Sequence, residues 1–455
     1  MGILGTLPKV EEARAFASDT RPDKRARLVD ALLARPEFGD YWSLWLLDLF
    51  RAKAKSIGGK NAELFARWLR DELREDVSLG EIARKILTAV GDGTRLAPVN
   101  YLRQTNDPKL LSELTTEALM GSSSRCAQCH NHPFDSWTQT QYHQMVAFFV
   151  RIDRTENGTA LADHGEIEHP KTGKPVSPGF PDGKKPATLE PDRRLALADW
   201  MVSPDNPYFA RSFSNRVWAR LMGRGIIEPV DNLTVSNAPS NPELLAALTD
   251  VFKGRLEGQP SRPYSLKSLI RTIATSQAYQ RSARPNPINR LDDRFYSRAL
   301  ARPLGSYAYA DAIASVTGVP EIFGKLPPGT RAGEVTDPGV ESYLLDVCGR
   351  CLREGSCDAP NPAAGGVRQA LHLVNGPALN AKIGAPGGRL AALRARNAPP
   401  EEVAEELYLA ALCRPPSEEE RAFWLDRIRQ AKQPEATTED LIWALCNSRA
   451  FVFDR

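Results

Sequence analysis

The sequence predicts a mainly α, multi-helix protein of two domains, with irregular Pro/Gly-rich loops and at most minor β structure. Three observations lead there. Apolar residues recur at three- and four-residue intervals through most of the chain, the period of one helix face. Strand-like alternation is scarce. The 455 residues exceed what one ordinary core holds, and 35 prolines, against a usual ~5%, imply many helix stops and irregular connections.

The first 150 residues read as helices. Trp42, Trp45, Leu46, Leu49 and Phe50 line one face of the first clear stripe. Leu64, Phe65, Trp68, Leu69 and Leu73 form the next, with Asn61 as its N-cap. Ser78 and Glu81 have the spacing of a capping box ahead of Leu79, Ile82, Ile86 and Val90. A helix over Asp107–Met120 should stop at Gly121, and another should run from Thr138 to Ile152.

Residues 153–190 break the pattern with five prolines, five glycines and no apolar period. We expect a linker or irregular lobe there, with room for a short hairpin. It would divide a helical domain over residues 1–152 from a second over 191–455. Helices should resume at Asp192–Met201, Pro207–Met222, Pro242–Leu256 and Ser265–Tyr279. A second irregular stretch surrounds Cys348, Cys351 and Cys357. Beyond it, helices are expected over Arg368–Ile383, Glu401–Cys413, Ser417–Lys432 and Thr438–Phe451.

Composition narrows the function. Apolar residues make up 42% and charged residues 25%, as in a soluble globular protein. The longest apolar runs, such as Met145–Val150, are core-sized, so no membrane span is expected. Basic residues exceed acidic ones by only 59 to 56, which gives no charge support for nucleic-acid binding. G-x-S-x-G, P-loop and dinucleotide-binding patterns are missing, so no hydrolase or nucleotide-binding motif directs the reading.

The chemistry-bearing residues are unevenly placed. Five of six histidines, His130, His132, His143, His164 and His169, fall within forty residues. Cys126-Ala-Gln-Cys129-His130 has the spacing of a c-type haem attachment site: two thiols add to the porphyrin vinyl groups and the next histidine ligates iron. Phe134, Trp137 and Phe148 are expected to wall the pocket. Three other readings stand beside it. Cys126 and Cys129 could be a disulfide or redox pair, or a structural zinc site with His132 or His143, or the histidines could simply be packed polar residues. For a further iron ligand, His132 is too close to His130 to reach the opposite haem face. His143 and Met145, thirteen and fifteen residues beyond His130, could turn back to it, and His164 or His169 could fold over from the loop.

Cys348-Gly-Arg-Cys351 has no following histidine, so haem attachment is excluded there. One disulfide among Cys348, Cys351 and Cys357 is expected. Asn215-Arg216-Val217-Trp218, with Gly223-Arg224-Gly225 and Asp231-Asn232, reads as an Arg–Asp network pinning helices around a glycine turn.

Cys126-Ala-Gln-Cys129-His130-Asn-His132-Pro133-Phe134-Asp135, followed by Trp137-Thr138-Gln139, resembles the planctomycete cytochrome-type domain. Arg194–Trp200, Ser203–Pro207, Asn215–Trp218, Ser240–Leu244, Gln369–Leu373 and Leu441–Leu445 are similar to the planctomycete-specific domain that usually follows it. The resemblance covers nearly the whole chain. It implies an exported haem protein exchanging electrons with a partner protein, working in the periplasm or otherwise outside the cytoplasm. The chain departs from the family in two places. No charged segment followed by an apolar one stands ahead of Leu7–Glu11, and the export signal is expected in sequence upstream of Met1. Cys348 and Cys351 also stand where the family has apolar and proline residues, while Cys357 lies closer to the family's cysteine position.

Overall fold

A computed structural model describes residues 1–189, 191–255, 262–357 and 376–454. The described residues are mainly α, with 50% of them in helices and 3% in strands. Two compact units emerge. One combines Met1–Leu32, Ala301–Cys351 and the C-terminal part of the chain; the other is Leu33–Leu300 with a short stretch beginning at Leu352.

The second unit is built on the helices Pro36–Leu49 and Gly59–Arg74, which pack side by side. Trp42, Leu46, Phe65 and Leu69 are wholly buried, as their spacing predicts. Gly39 permits the close approach: a Cβ there would lie 2.8 Å from the Arg70 carbonyl oxygen. Beside it the buried Asp40 accepts from Arg74 Nη2 at 3.0 Å and forms an ion pair with Arg70, whose Nε lies 3.0 Å away, joining the two helices.

The next helix, Leu79–Thr88, is capped by Ser78, whose side chain accepts from Glu81 N–H. Its far end is closed by the buried Arg194, which donates to the carbonyls of Leu87 and Ala89 while held by Asp192 at 2.7 Å. Asp192 also N-caps the helix Arg193–Met201. The helices Phe209–Met222, Pro242–Phe252 and Leu266–Thr275 complete this unit.

The described stretch 153–189 holds a hairpin and a packed lobe. Ile152–Arg154 pairs antiparallel with Gly158–Leu161, which pairs on its other edge with Gly91–Asp92. Gly158 is needed there, because a Cβ would lie 1.9 Å from the Gly91 carbonyl oxygen. Further on, Phe180 stacks between Phe148 and Trp200, with ring centroids 5.5 and 4.8 Å away.

In the first unit Tyr309, Ile313, Val316, Leu345, Leu407 and Leu441 share one core. Val10 and Ala13 of the helix Val10–Ser18 pack on Leu409 and Ala410 of the helix Pro400–Leu412. Arg302–Pro303 pairs antiparallel with Phe453–Asp454. Cys348 and Cys446 are buried in this core, outside any disulfide. Cys413 caps Pro400–Leu412 in the left-handed region, at φ 55°. Cys351 and Cys357 are disulfide-bonded, which meets the expectation of one bond among three cysteines. The start of the helix expected from Arg368, with its Gln369–Leu373 motif, lies outside the described residues; Pro377–Ile383 is helical. Among the described residues no helix is long and apolar enough to cross a membrane.

Candidate functional site

The cysteine–histidine segment is carried by a helix that changes register before it ends. Pro108–Thr115 is α-helical, N-capped by Asp107, and continues as a π turn over Thr116–Met120. Gly121 stops it at φ 66°, where a Cβ would lie 2.7 Å from Ser212 Oγ. The expected stop at Gly121 is therefore found, and the π turn is an addition. Ser124 Oγ then meets Thr116 Oγ1 at 3.1 Å, turning the chain back.

Arg125–Gln128 form a single 3-10 turn. Ala127 is buried and fixes which side faces inward, so Cys126 and Cys129 present free thiols to solvent on the other. Two struts hold the turn. Arg125 Nε donates to Glu113 Oε2 at 3.0 Å, and the Tyr142 hydroxyl donates to Glu113 Oε1 at 2.8 Å. Glu113 is buried, so these are charge-assisted bonds in a poorly solvated place. Burial, then the Glu113 bond, pushes the Tyr142 hydroxyl well above its ordinary value. The second strut is Gln139, whose Nε2 donates to the carbonyls of Cys129 at 2.8 Å and Gln128 at 3.2 Å.

His130 is exposed, and its ring is oriented. Nδ1 lies 2.8 Å from the Asn131 carbonyl oxygen. A carbonyl can only accept, so Nδ1 carries a proton, and in the neutral ring Nε2 presents its lone pair. Asn131 is itself fixed, because its Oδ1 accepts from Gln139 N–H at 3.0 Å.

The other candidate ligands are placed differently. His132 Nδ1 accepts from Phe134 N–H at 3.2 Å, so in the neutral ring the proton sits on Nε2. His143 and Met145 lie on the helix Gln139–Val146 and are buried. His143 Nδ1 donates to Gln139 O at 2.8 Å, and its ring is 5.8 Å from that of His169. Burial holds His143 below the ordinary histidine value. His169 Nε2 meets Thr140 Oγ1 at 3.2 Å, and His164 is exposed beside Asp163. Among the described residues no three His, Cys, Asp or Glu side chains are gathered as a metal site.

Of the aromatics expected to wall a pocket, only Phe134 projects, at 74% exposed. Trp137 is a strut beneath the loop, donating from Nε1 to Ser122 Oγ at 2.9 Å, and Phe148 belongs to the Phe180 stack. The structure adds Val235, 80% exposed, whose N–H points at Asp135 Oδ1 at 3.4 Å. Leu233 N–H on the same segment donates to Gly121 O at 2.8 Å. Residues a hundred positions downstream thus border the cysteine–histidine turn, which local spacing cannot reveal.

The Asn215–Trp218 segment is a pin. Asn215 exchanges two 2.9 Å bonds with the backbone of Ile227, and Arg216 Nη2 donates to Glu117 O at 2.7 Å. Burial brings the Arg216 guanidinium down to about 10, against the pull of Asp231 and Glu117.

Residues 1–154 match the model of the PSCyt2 family, a protein of unknown function (DUF1549). Residues 193–337 match that of the PSD1 family, a protein of unknown function (DUF1553). No curated protein and no solved structure matches the chain.

Proposed function

For a chain that belongs to the PSCyt2 and PSD1 families, the first a cytochrome-type domain, we propose an exported electron-transfer protein that holds one c-type haem at Cys126, Cys129 and His130. One observation carries this. Both thiols are free and exposed on a braced turn, and the adjacent histidine is oriented with its Nε2 lone pair outward.

Each residue has a role. Cys126 and Cys129 would hold the haem through two thioether links, each made by adding one S–H across a vinyl group, sulfur to one carbon and hydrogen to its neighbour. His130 would bind iron through Nε2, while its Nδ1–H bond to Asn131 keeps the ring from turning and makes the ligating nitrogen more electron-rich. Haem supplies one-electron chemistry, and four of its iron's ligands are its own. The protein therefore need contribute only two thiols and one or two further donors, which suits a turn where few ligands converge. Phe134 and Val235 would shield porphyrin from water, and their exposed faces suit contact with a redox partner protein. Such attachment belongs outside the cytoplasm.

Protein from a haem-attaching host should keep a Soret band through acid–acetone extraction, which removes haem that is not covalently held. Joint Cys126→Ser and Cys129→Ser substitution should lose the band on extraction. A colourless wild-type protein with stoichiometric zinc would overturn the proposal.

A further inference from the structure

Residues 282–299 form a closed Ω-shaped loop. Its ends meet where Ala299 N–H donates to Ser282 O at 3.1 Å. The interior is tied down residue by residue. Asn286 Oδ1 accepts from the N–H groups of Ile288 and Asn289, both at 2.9 Å. Asp292 accepts from the N–H groups of Arg294, Phe295 and Ser297 within 2.9 Å. Tyr296 points inward and is buried, with its hydroxyl on Gly225 O at 2.8 Å and its ring edge-on to Trp218.

An ordered loop so anchored would ordinarily show polar side chains to water. This one shows Ile288 at 96%, Leu291 at 84% and Phe295 at 69% exposure. Ile288 and Leu291 are the most exposed large apolar side chains among the described residues. Single exposed apolar residues need no explanation, but three within eight positions of a braced loop do. The charge around them is one-sided. Positions 281–298 carry five arginines and two aspartates. Asp292 is spent on the loop's own backbone, and the exposed Asp293 lies 3.7 Å from Arg224, which lies outside the loop. Arg284, Arg290 and Arg294 remain exposed among the apolar side chains.

We infer that this loop seats the protein peripherally on an anionic bilayer surface. Ile288, Leu291 and Phe295 would enter the headgroup–acyl boundary while the arginines meet lipid phosphates. The shape favours lipid over a protein partner. Side chains this exposed stand on a convex tip, which fluid lipid can surround on every side, whereas a protein would need a matching apolar socket. Apolar burial and attraction to anionic lipid then act together, as in other interfacial anchors. This inference does not rest on the haem reading.

Co-sedimentation of the full chain with vesicles tests it, using phosphatidylcholine alone or with about one part in four phosphatidylglycerol. The wild type should pellet with the anionic vesicles at least about tenfold better than with neutral ones. Joint substitution Ile288→Ser, Leu291→Ser and Phe295→Ser should abolish pelleting, with an unchanged far-ultraviolet circular dichroism spectrum showing that the helices persist. Arg284→Gln with Arg290→Gln and Arg294→Gln should remove the preference for anionic lipid. A wild type that stays in solution with anionic vesicles, or a folded triple-serine variant that still pellets, would overturn the inference.

Discussion

Gln139 donates its side-chain amide to the carbonyl oxygen of Cys129 at 2.8 Å, so the helix beginning at Gln139 holds the turn that carries both thiols. The same side chain reaches Gln128 O, and Gln139 N–H fixes Asn131. One residue thereby links the thiol turn to the histidine's orientation.

Gln139→Ala should lower unfolding free energy by about 1–2 kcal/mol, the worth of a buried hydrogen-bonding group lost to two carbonyls. Gln139→Glu should do more harm at pH 7, because a carboxylate cannot donate to carbonyl oxygens. Part of that loss should return near pH 4, where the carboxyl can carry a proton. Urea titrations at both pH values read the difference, and equal effects of Ala and Glu at pH 7 would remove the strut.

Glu113 is the other brace, and its two partners are lost together in Glu113→Ala. Removing charge-assisted bonds at a buried site should cost about 2–3 kcal/mol by chemical denaturation. Tyr142→Phe should cost less, since Arg125 still holds the carboxylate. Equal losses for the two variants would mean that the Arg125 contact contributes nothing.

Arg353, buried and at φ 59°, sits inside the loop closed by Cys351 and Cys357. It donates to Asp48 Oδ1 at 2.8 Å and to Ala52 O at 2.6 Å. Arg353→Ala leaves Asp48 desolvated without this counter-charge and should destabilise by about 3–5 kcal/mol. Cys351→Ser should cost about 2 kcal/mol through loop-closure entropy and leave the visible spectrum unchanged. Unreduced peptide mapping should recover the Cys351–Cys357 link, with Cys348 outside it.

His143 sets a pH dependence. Burial is the main cause of its lowered pKa, with nearby His169 and Lys109 acting in the same direction, opposed by its bond to Gln139 O. The folded pKa therefore lies below the unfolded value of about 6.5. As pH falls through that value, the unfolded chain takes up a proton that the folded protein refuses, and stability drops. His143→Gln should flatten the fall in urea midpoint between pH 7.5 and 5.5. An unchanged slope would show that other groups cause it.

Helices with strong apolar stripes were legible in the sequence, because burial on one face leaves a three-to-four spacing; Trp42–Phe50 and Leu266–Ile273 are examples. Stops were legible where chemistry enforces them, as at Gly121. Length was less so. The helix expected to reach Ile152 ends at Val146, because Ile152 enters a strand whose partner is specified by the hairpin rather than by local pattern. Ser306–Thr317 was hidden by alanines, whose small side chains blur the stripe. At the candidate site, the thiols and His130 stand out by spacing alone. Glu113, Gln139 and Val235 do not, because their roles depend on distances between elements that only folding brings together.

The most direct test of haem attachment is the intact mass of denatured protein made in a host that attaches haem to exported CxxCH sequences. Attachment at Cys126 and Cys129 predicts a polypeptide heavier by about one haem, and a tryptic peptide spanning both cysteines that carries the added mass. A mass equal to that of the bare polypeptide, with both thiols open to alkylation, would contradict it.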